Sequence, residues 1–143
     1  MLLVFSLLGV FDNVVFVADS YYDAIYASPL TTADTSLFRL PFQNLTFPID
    51  IDLDPVEDRI YWTDSSRGTI MRSFTDGKDQ KTIRSGAARP YGMALDLAAR
   101  NVYWINRDDL TIEVSNLNGK NSKVLVFNLL SQPYDLIVDT TKG

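Results

Sequence analysis

Arg59-Ile60-Tyr61-Trp62-Thr63-Asp64 returns 42 residues later as Asn101-Val102-Tyr103-Trp104-Ile105-Asn106. Pro48 and Pro90, Asp54 and Asp96, Ile70 and Ile112, and Gly77 and Gly119 keep the same 42-residue separation. A fixed spacing shared by so many landmarks marks an internal repeat. The stretch reads as a strand, because β-branched and aromatic residues fill it and Pro55, Glu57 and Asp58 turn the chain into it. Ile60 and Trp62 point to one face and Tyr61 and Thr63 to the other, so both faces carry large groups. A half-solvated strand would alternate apolar with charged residues; this one demands cover on both sides.

A unit of about forty residues with four short strands, stacked face to face on its neighbours, meets that demand as a blade of a β-propeller. The fold class expected is all-β, with about three four-stranded antiparallel blades forming part of a six-bladed ring. The blades fall near residues 1–47, 48–89 and 90–132, with 133–143 opening a further one. In the second blade Ile49 to Leu53 is the first strand, Pro55 sits at the favoured second position of the turn, and Arg59 to Thr63 returns antiparallel. Thr69 to Phe74 follows, and Asp76-Gly77, a strong hairpin signal, leads into Lys81 to Ile83. The third blade repeats this with Met93 to Leu95, Asn101 to Ile105, Thr111 to Ser115 and Lys123 to Phe127. Pro133 to Asp139 is read as the opening strand of the next. The first blade pairs Leu3 to Leu8 with Val14 to Asp19, then continues through Ala24 to Ala27 and Phe38 to Leu40. Three extra residues are assigned to a surface loop within Thr31 to Ser36.

The chain has 143 residues, 46% of them hydrophobic and 22% charged, the balance of a packed globular protein. Its net charge of -5 argues against a nucleic-acid partner, which would require a basic face. The absence of Cys excludes disulfides, thiolate metal sites and a Cys nucleophile; the absence of His removes the commonest metal ligand and general base. No cofactor or metal is expected. Met1 to Phe11 is far shorter than the roughly 20 residues that span a bilayer. It reads either as a signal peptide or as a buried strand; the register of Asp19 with Asp64 favours the strand, and no Lys or Arg precedes the apolar run.

The pattern resembles the LDL-receptor class B, or YWTD, repeat of six-bladed extracellular β-propellers. It is carried by Pro48, Asp54, Pro55, Tyr61, Trp62, Thr63, Asp64, Ile70, Asp76 and Gly77, and again by Pro90, Gly92, Asp96, Tyr103, Trp104, Ile112 and Gly119. The third repeat departs with Ile105-Asn106 and Asn118, and the first keeps only Asp19 of the four-residue motif. The resemblance implies a non-enzymatic, extracellular or cell-surface module that reaches its place by the secretory pathway and binds protein ligands. It also implies a longer parent protein, since about three and a half repeats cannot close a ring that needs at least four blades. The alternative to a longer parent is self-association through the open blade faces, with Leu2 to Phe11 of one copy meeting Leu136 to Val138 of another.

Tyr61, Trp62, Tyr103 and Trp104 are expected to fill the inter-blade core, and Asp19 and Asp64 to bond backbone N–H groups beyond their strands. Blade topology places the second-to-third-strand loops and the inter-blade connections at one end. That rim collects Tyr21, Tyr22 and Asp23, then Arg67, then Arg107 and Asp108, with Arg89, Tyr91 and Tyr134 from the connections. Tyr and Arg dominate binding hot spots, which makes this rim the candidate ligand surface. Two alternatives compete with it: a calcium-dependent hydrolase with acidic residues around the central channel, where Asp50, Asp52 and Asp135 are met by Gly92 in the third blade, and an isolated scaffold propeller. Asn44-Leu45-Thr46 is the only N-glycosylation sequon.

Overall fold

The 42-residue spacing appears in three dimensions as consecutive antiparallel sheets, each ordered as the chain runs. The structure is a computed structural model and describes residues 13–30, 36–128 and 131–140. The first sheet holds β1 (Val14–Asp19), β2 (Ala24–Pro29) and β3 (Phe38–Arg39). The second holds β4 (Pro48–Asp54), β5 (Arg59–Asp64), β6 (Thr69–Phe74) and β7 (Lys81–Ser85). The third holds β8 (Pro90–Asp96), β9 (Asn101–Asn106), β10 (Thr111–Asn116) and β11 (Lys123–Val126). The expected strand Leu3 to Leu8, most of the Thr31 to Ser36 loop and the Leu2 to Phe11 docking face lie outside the described residues. No helix among the described residues is long and apolar enough to cross a membrane.

The two faces of β5 are covered from opposite sides. Ile60 and Trp62 join Ile25 and Phe42 of the preceding unit, with the Phe42 and Trp62 rings stacked at 4.6 Å. Tyr61 packs with Ile70, Ile83, Met93, Val102, Trp104 and Leu117, so the next blade's Val102 and Trp104 repeat the role of Ile60 and Trp62. Burial of side chains this large is worth about 1.5–3 kcal/mol each for aliphatic residues, and it is what holds one blade to the next.

Polar tethers fix the blades' relative position. The Thr63 hydroxyl donates to the Tyr91 carbonyl at 2.8 Å and accepts the Asp50 N–H at 3.1 Å. Asp50 and Asp52 accept the N–H groups of Met93 and Leu95 at 2.7 and 2.8 Å, so carboxylates on β4 replace the ladder that two blades do not form. At the outer edge Gly119 lies against the Ile83 carbonyl with a φ of 84°; any Cβ there would overlap that oxygen. The Asn118-Gly119 turn can therefore lie directly on β7.

Three readings are corrected. Tyr103 is half-buried where Tyr61, its repeat equivalent, is fully buried, because among the described residues no further sheet covers that face of β9. Pro133 to Asp139 forms no strand ladder among the described residues, because its link to the sheet is a single backbone bond from Gly92 N to the Tyr134 carbonyl at 2.9 Å. Phe127 lies past the end of β11, and Leu40 past the end of β3.

Candidate functional site: an arginine clasped by two tyrosines

β9 ends at Asn106, and the turn that follows carries Arg107 and Asp108 to the end of the blade where the β7–β8 connection also passes. Backbone bonds join the two segments: Arg107 N–H donates to the Arg89 carbonyl at 3.1 Å and Asp108 N–H to the Ala88 carbonyl at 3.3 Å. Arg89 adopts a φ of 50°, a left-handed kink that redirects the connection into β8.

On this frame the Arg107 guanidinium lies between two rings, 4.5 Å from the centroid of Tyr91 and 4.4 Å from that of Tyr134. The rings themselves meet edge to face at 5.7 Å. Arg107 Nη2 donates to Gln132 Oε1 at 2.7 Å and to the Tyr134 hydroxyl at 2.9 Å. Arg89 pairs with Asp108 at 3.1 Å beside it. Tyr91 is only 9% exposed and forms the floor, whereas Tyr134 is 64% exposed and forms the outer wall. Stacking on aromatic faces is a geometry that the planar guanidinium supports and an ammonium does not.

Gly92 makes this clasp possible. A Cβ at Gly92 would overlap Asp135 Cα and lie 2.8 Å from the Tyr134 carbonyl oxygen. Only a residue without a side chain lets the 131–140 segment come close enough for Tyr134 to cover Arg107. Gln132 and Gly92 were not among the rim residues read from sequence; the exchange of an acidic residue for Gly92 at the repeat position of Asp50 was the visible signal.

The other rim residues lie apart from the clasp. Tyr21 and Tyr22 form an exposed edge-to-face pair at 4.9 Å, their N–H groups both held by Asp19 Oδ1, and the Asp23 carbonyl accepts from Arg39. Arg67 follows Asp64, whose Oδ1 accepts the Arg67 N–H at 3.1 Å and the Thr46 hydroxyl at 2.7 Å while Oδ2 accepts the Thr46 N–H at 2.8 Å. Asn106, at the repeat position of Asp64, instead accepts the Trp104 ring N–H at 3.2 Å and donates to Glu113 at 2.6 Å and to Thr111 at 3.3 Å. Asp64 thus ties its blade to the preceding connection, whereas Asn106 closes a network within its own.

At the inner strands, Asp50 and Asp52 each spend one oxygen on the next residue's N–H and the other on β8. Burial raises the Asp50 pKa above its ordinary 3.8, opposed by the Met93 and Ile51 N–H groups and reinforced by the charges of Asp135 and Asp52. Among the described residues no group of three or more His, Cys, Asp or Glu is placed to hold a metal ion.

Comparison with known proteins places this geometry. Residues 58–97 match the model of the low-density lipoprotein receptor repeat class B. Low-density lipoprotein receptor-related protein 5 of Mus musculus is 35% identical over 96 residues, which is 65% of this chain and 6% of that protein. Nidogen of Drosophila melanogaster is 33% identical over 89 residues, 62% of this chain and 7% of that protein. The chain thus spans a small fraction of the curated relatives it matches. A chain from a crystal structure of a nidogen/laminin complex superposes with a TM-score of 0.81 at 30% identity, covering 90% of this chain and 49% of that one.

Proposed function

The chain belongs to the low-density lipoprotein receptor class B, or YWTD, repeat family, and from that premise we propose that it is a non-enzymatic, extracellular protein-binding module whose ligand seats on the Arg107 clasp. The observation that carries the reading is the pre-ordered stack of Arg107 between Tyr91 and Tyr134 at one end of the third blade. A side chain already held by two rings and two hydrogen bonds loses little rotamer freedom on binding, where a free one would cost about 0.5–1.5 kcal/mol. Arg107 Nη1 carries no hydrogen bond among the described residues, so it can donate to a partner's carboxylate or main-chain carbonyl. The exposed Tyr134 ring supplies apolar contact beside it. The partner that fits is a protein segment presenting an acceptor flanked by apolar surface.

Three similar proteins support the class of partner: one is named as a receptor-related protein, one is nidogen, and one is a chain from a nidogen/laminin complex. The test is a panel of purified secreted proteins, laminin included, probed with the chain and with Arg107→Ala and Tyr134→Ala forms. A ligand captured by the wild type and lost by both variants, whose melting temperatures stay unchanged, is the expected result. Capture that is indifferent to both substitutions overturns the assignment.

A further inference from the structure

The Asn44-Leu45-Thr46 sequon lies in the connection from the first blade to β4, away from the Arg107 clasp. Asn44 is exposed and holds a φ of 59°, a left-handed conformation that Asn tolerates better than most residues. The segment is pinned on both sides of it. Gln43 N–H donates to Gln80 Oε1 at 2.9 Å and Gln80 Nε2 donates to the Gln43 carbonyl at 2.8 Å; two residues further on, Thr46 is held by Asp64. Asn44 shares a groove with Arg67, Gln80 and Trp62.

We propose that Asn44 carries an N-linked glycan, added before the second blade folds, which covers the Arg67 side of the rim and leaves the Arg107 clasp as the accessible ligand surface. The inference rests on the extracellular reading above, because the modification requires entry into the secretory pathway. The donor is a lipid-linked oligosaccharide pyrophosphate. Asn44 Nδ2 forms a bond to the anomeric carbon of the sugar, the bond from that carbon to the pyrophosphate oxygen breaks, and the amide releases one proton. The timing follows from Thr46. Its hydroxyl and N–H are both bonded to Asp64 in the folded blade, so the extended sequon that a transferase must grip exists only beforehand.

The test imposes the compartment: the full chain, fused to a secretion signal, is translated in the presence of microsomes and also secreted from animal cells, then treated with an N-glycosidase. The expected result is the mass of one oligosaccharide lost from the peptide containing Asn44, and no such loss in Asn44→Asp, which tolerates the same backbone conformation. Chain refolded without a glycan should not become modified by detergent-solubilised oligosaccharyltransferase supplied with the lipid-linked donor, which does modify the nascent or unfolded chain. A secreted chain with no sugar at Asn44 overturns the site while leaving the extracellular reading in place. A secreted chain that carries the sugar at Asn44 yet captures no secreted protein overturns the extracellular binding reading while leaving the site in place. Equal modification of the refolded and nascent chains overturns the proposed timing.

Discussion

Gly92→Ala tests whether a missing side chain builds the Arg107 clasp, the surface proposed to seat a ligand. The added Cβ would meet two backbone groups, Asp135 Cα and the Tyr134 carbonyl oxygen, so no rotamer change relieves it. Overpacking of this kind costs about 1–3 kcal/mol. The cost falls first on the docking of the 131–140 segment, because both overlapped groups, Asp135 Cα and the Tyr134 carbonyl oxygen, belong to it and that carbonyl accepts the Gly92 N–H. Lifting it separates Tyr134 and Gln132 from Arg107, removing one of the two stacked rings and both hydrogen bonds to Nη2. Converted to an opening equilibrium, the expected strain is roughly 5- to 150-fold more population of the undocked segment. Hydrogen exchange monitored by mass spectrometry should show faster exchange in the peptides carrying residue 92 and 131–140, with β5 and β9 unchanged. If protection in those peptides stays at the wild-type level, Gly92 does not hold the clasp and the construction of the site is wrong.

Trp104→Ala should destabilise by about 3–5 kcal/mol, since Trp104 is fully buried between two blades, and Tyr103→Ala should cost clearly less because Tyr103 is half-buried; equal losses in denaturant titration would contradict the assignment of the two faces of β9. Asp50 should titrate above 3.8, because burial outweighs its two N–H partners. With the folded pKa raised above the unfolded one, the fold binds this proton first, so Asp50's contribution to stability improves as pH falls through its folded pKa. An NMR titration of the Asp50 carboxyl with a midpoint at or below 3.8 would show that the hydrogen bonds dominate instead.

The alternation of faces in Arg59 to Asp64 and its recurrence at 101–106 made the blades legible, because period-two patterning with cover on both sides leaves few architectures. Four register shifts among the described residues were not legible, among them those between Pro48 and Ile51 and between Pro90 and Met93. They depend on which residue opposes which, and pairing is not written in any one strand. Asp50 and Gly92 lie within those two irregular stretches, where a carboxylate bridges the blades in one case and bare backbone does so in the other. The rim was legible as one end of the fold, since loop order alone assigns it. The clasp was not, because residues 107, 132 and 134 are brought together by the absence of a side chain at position 92. Pro133 to Asp139 misled for a related reason: its residues suit a strand, but a strand is defined by a ladder, and the segment instead meets β8 through the Gly92 N–H and the clasp through Tyr134.

The most direct measurement compares the affinity of one captured ligand for the wild type, Arg107→Ala and Arg67→Ala by surface plasmon resonance, each protein first shown to melt as the wild type does. Loss of a central Arg anchor is expected to cost about 2 kcal/mol or more, which is roughly a 30-fold rise in Kd for Arg107→Ala. For Arg67→Ala, on the side of the rim assigned to the glycan, the Kd should stay within about twofold. An Arg107→Ala form that binds as tightly as the wild type would contradict the account.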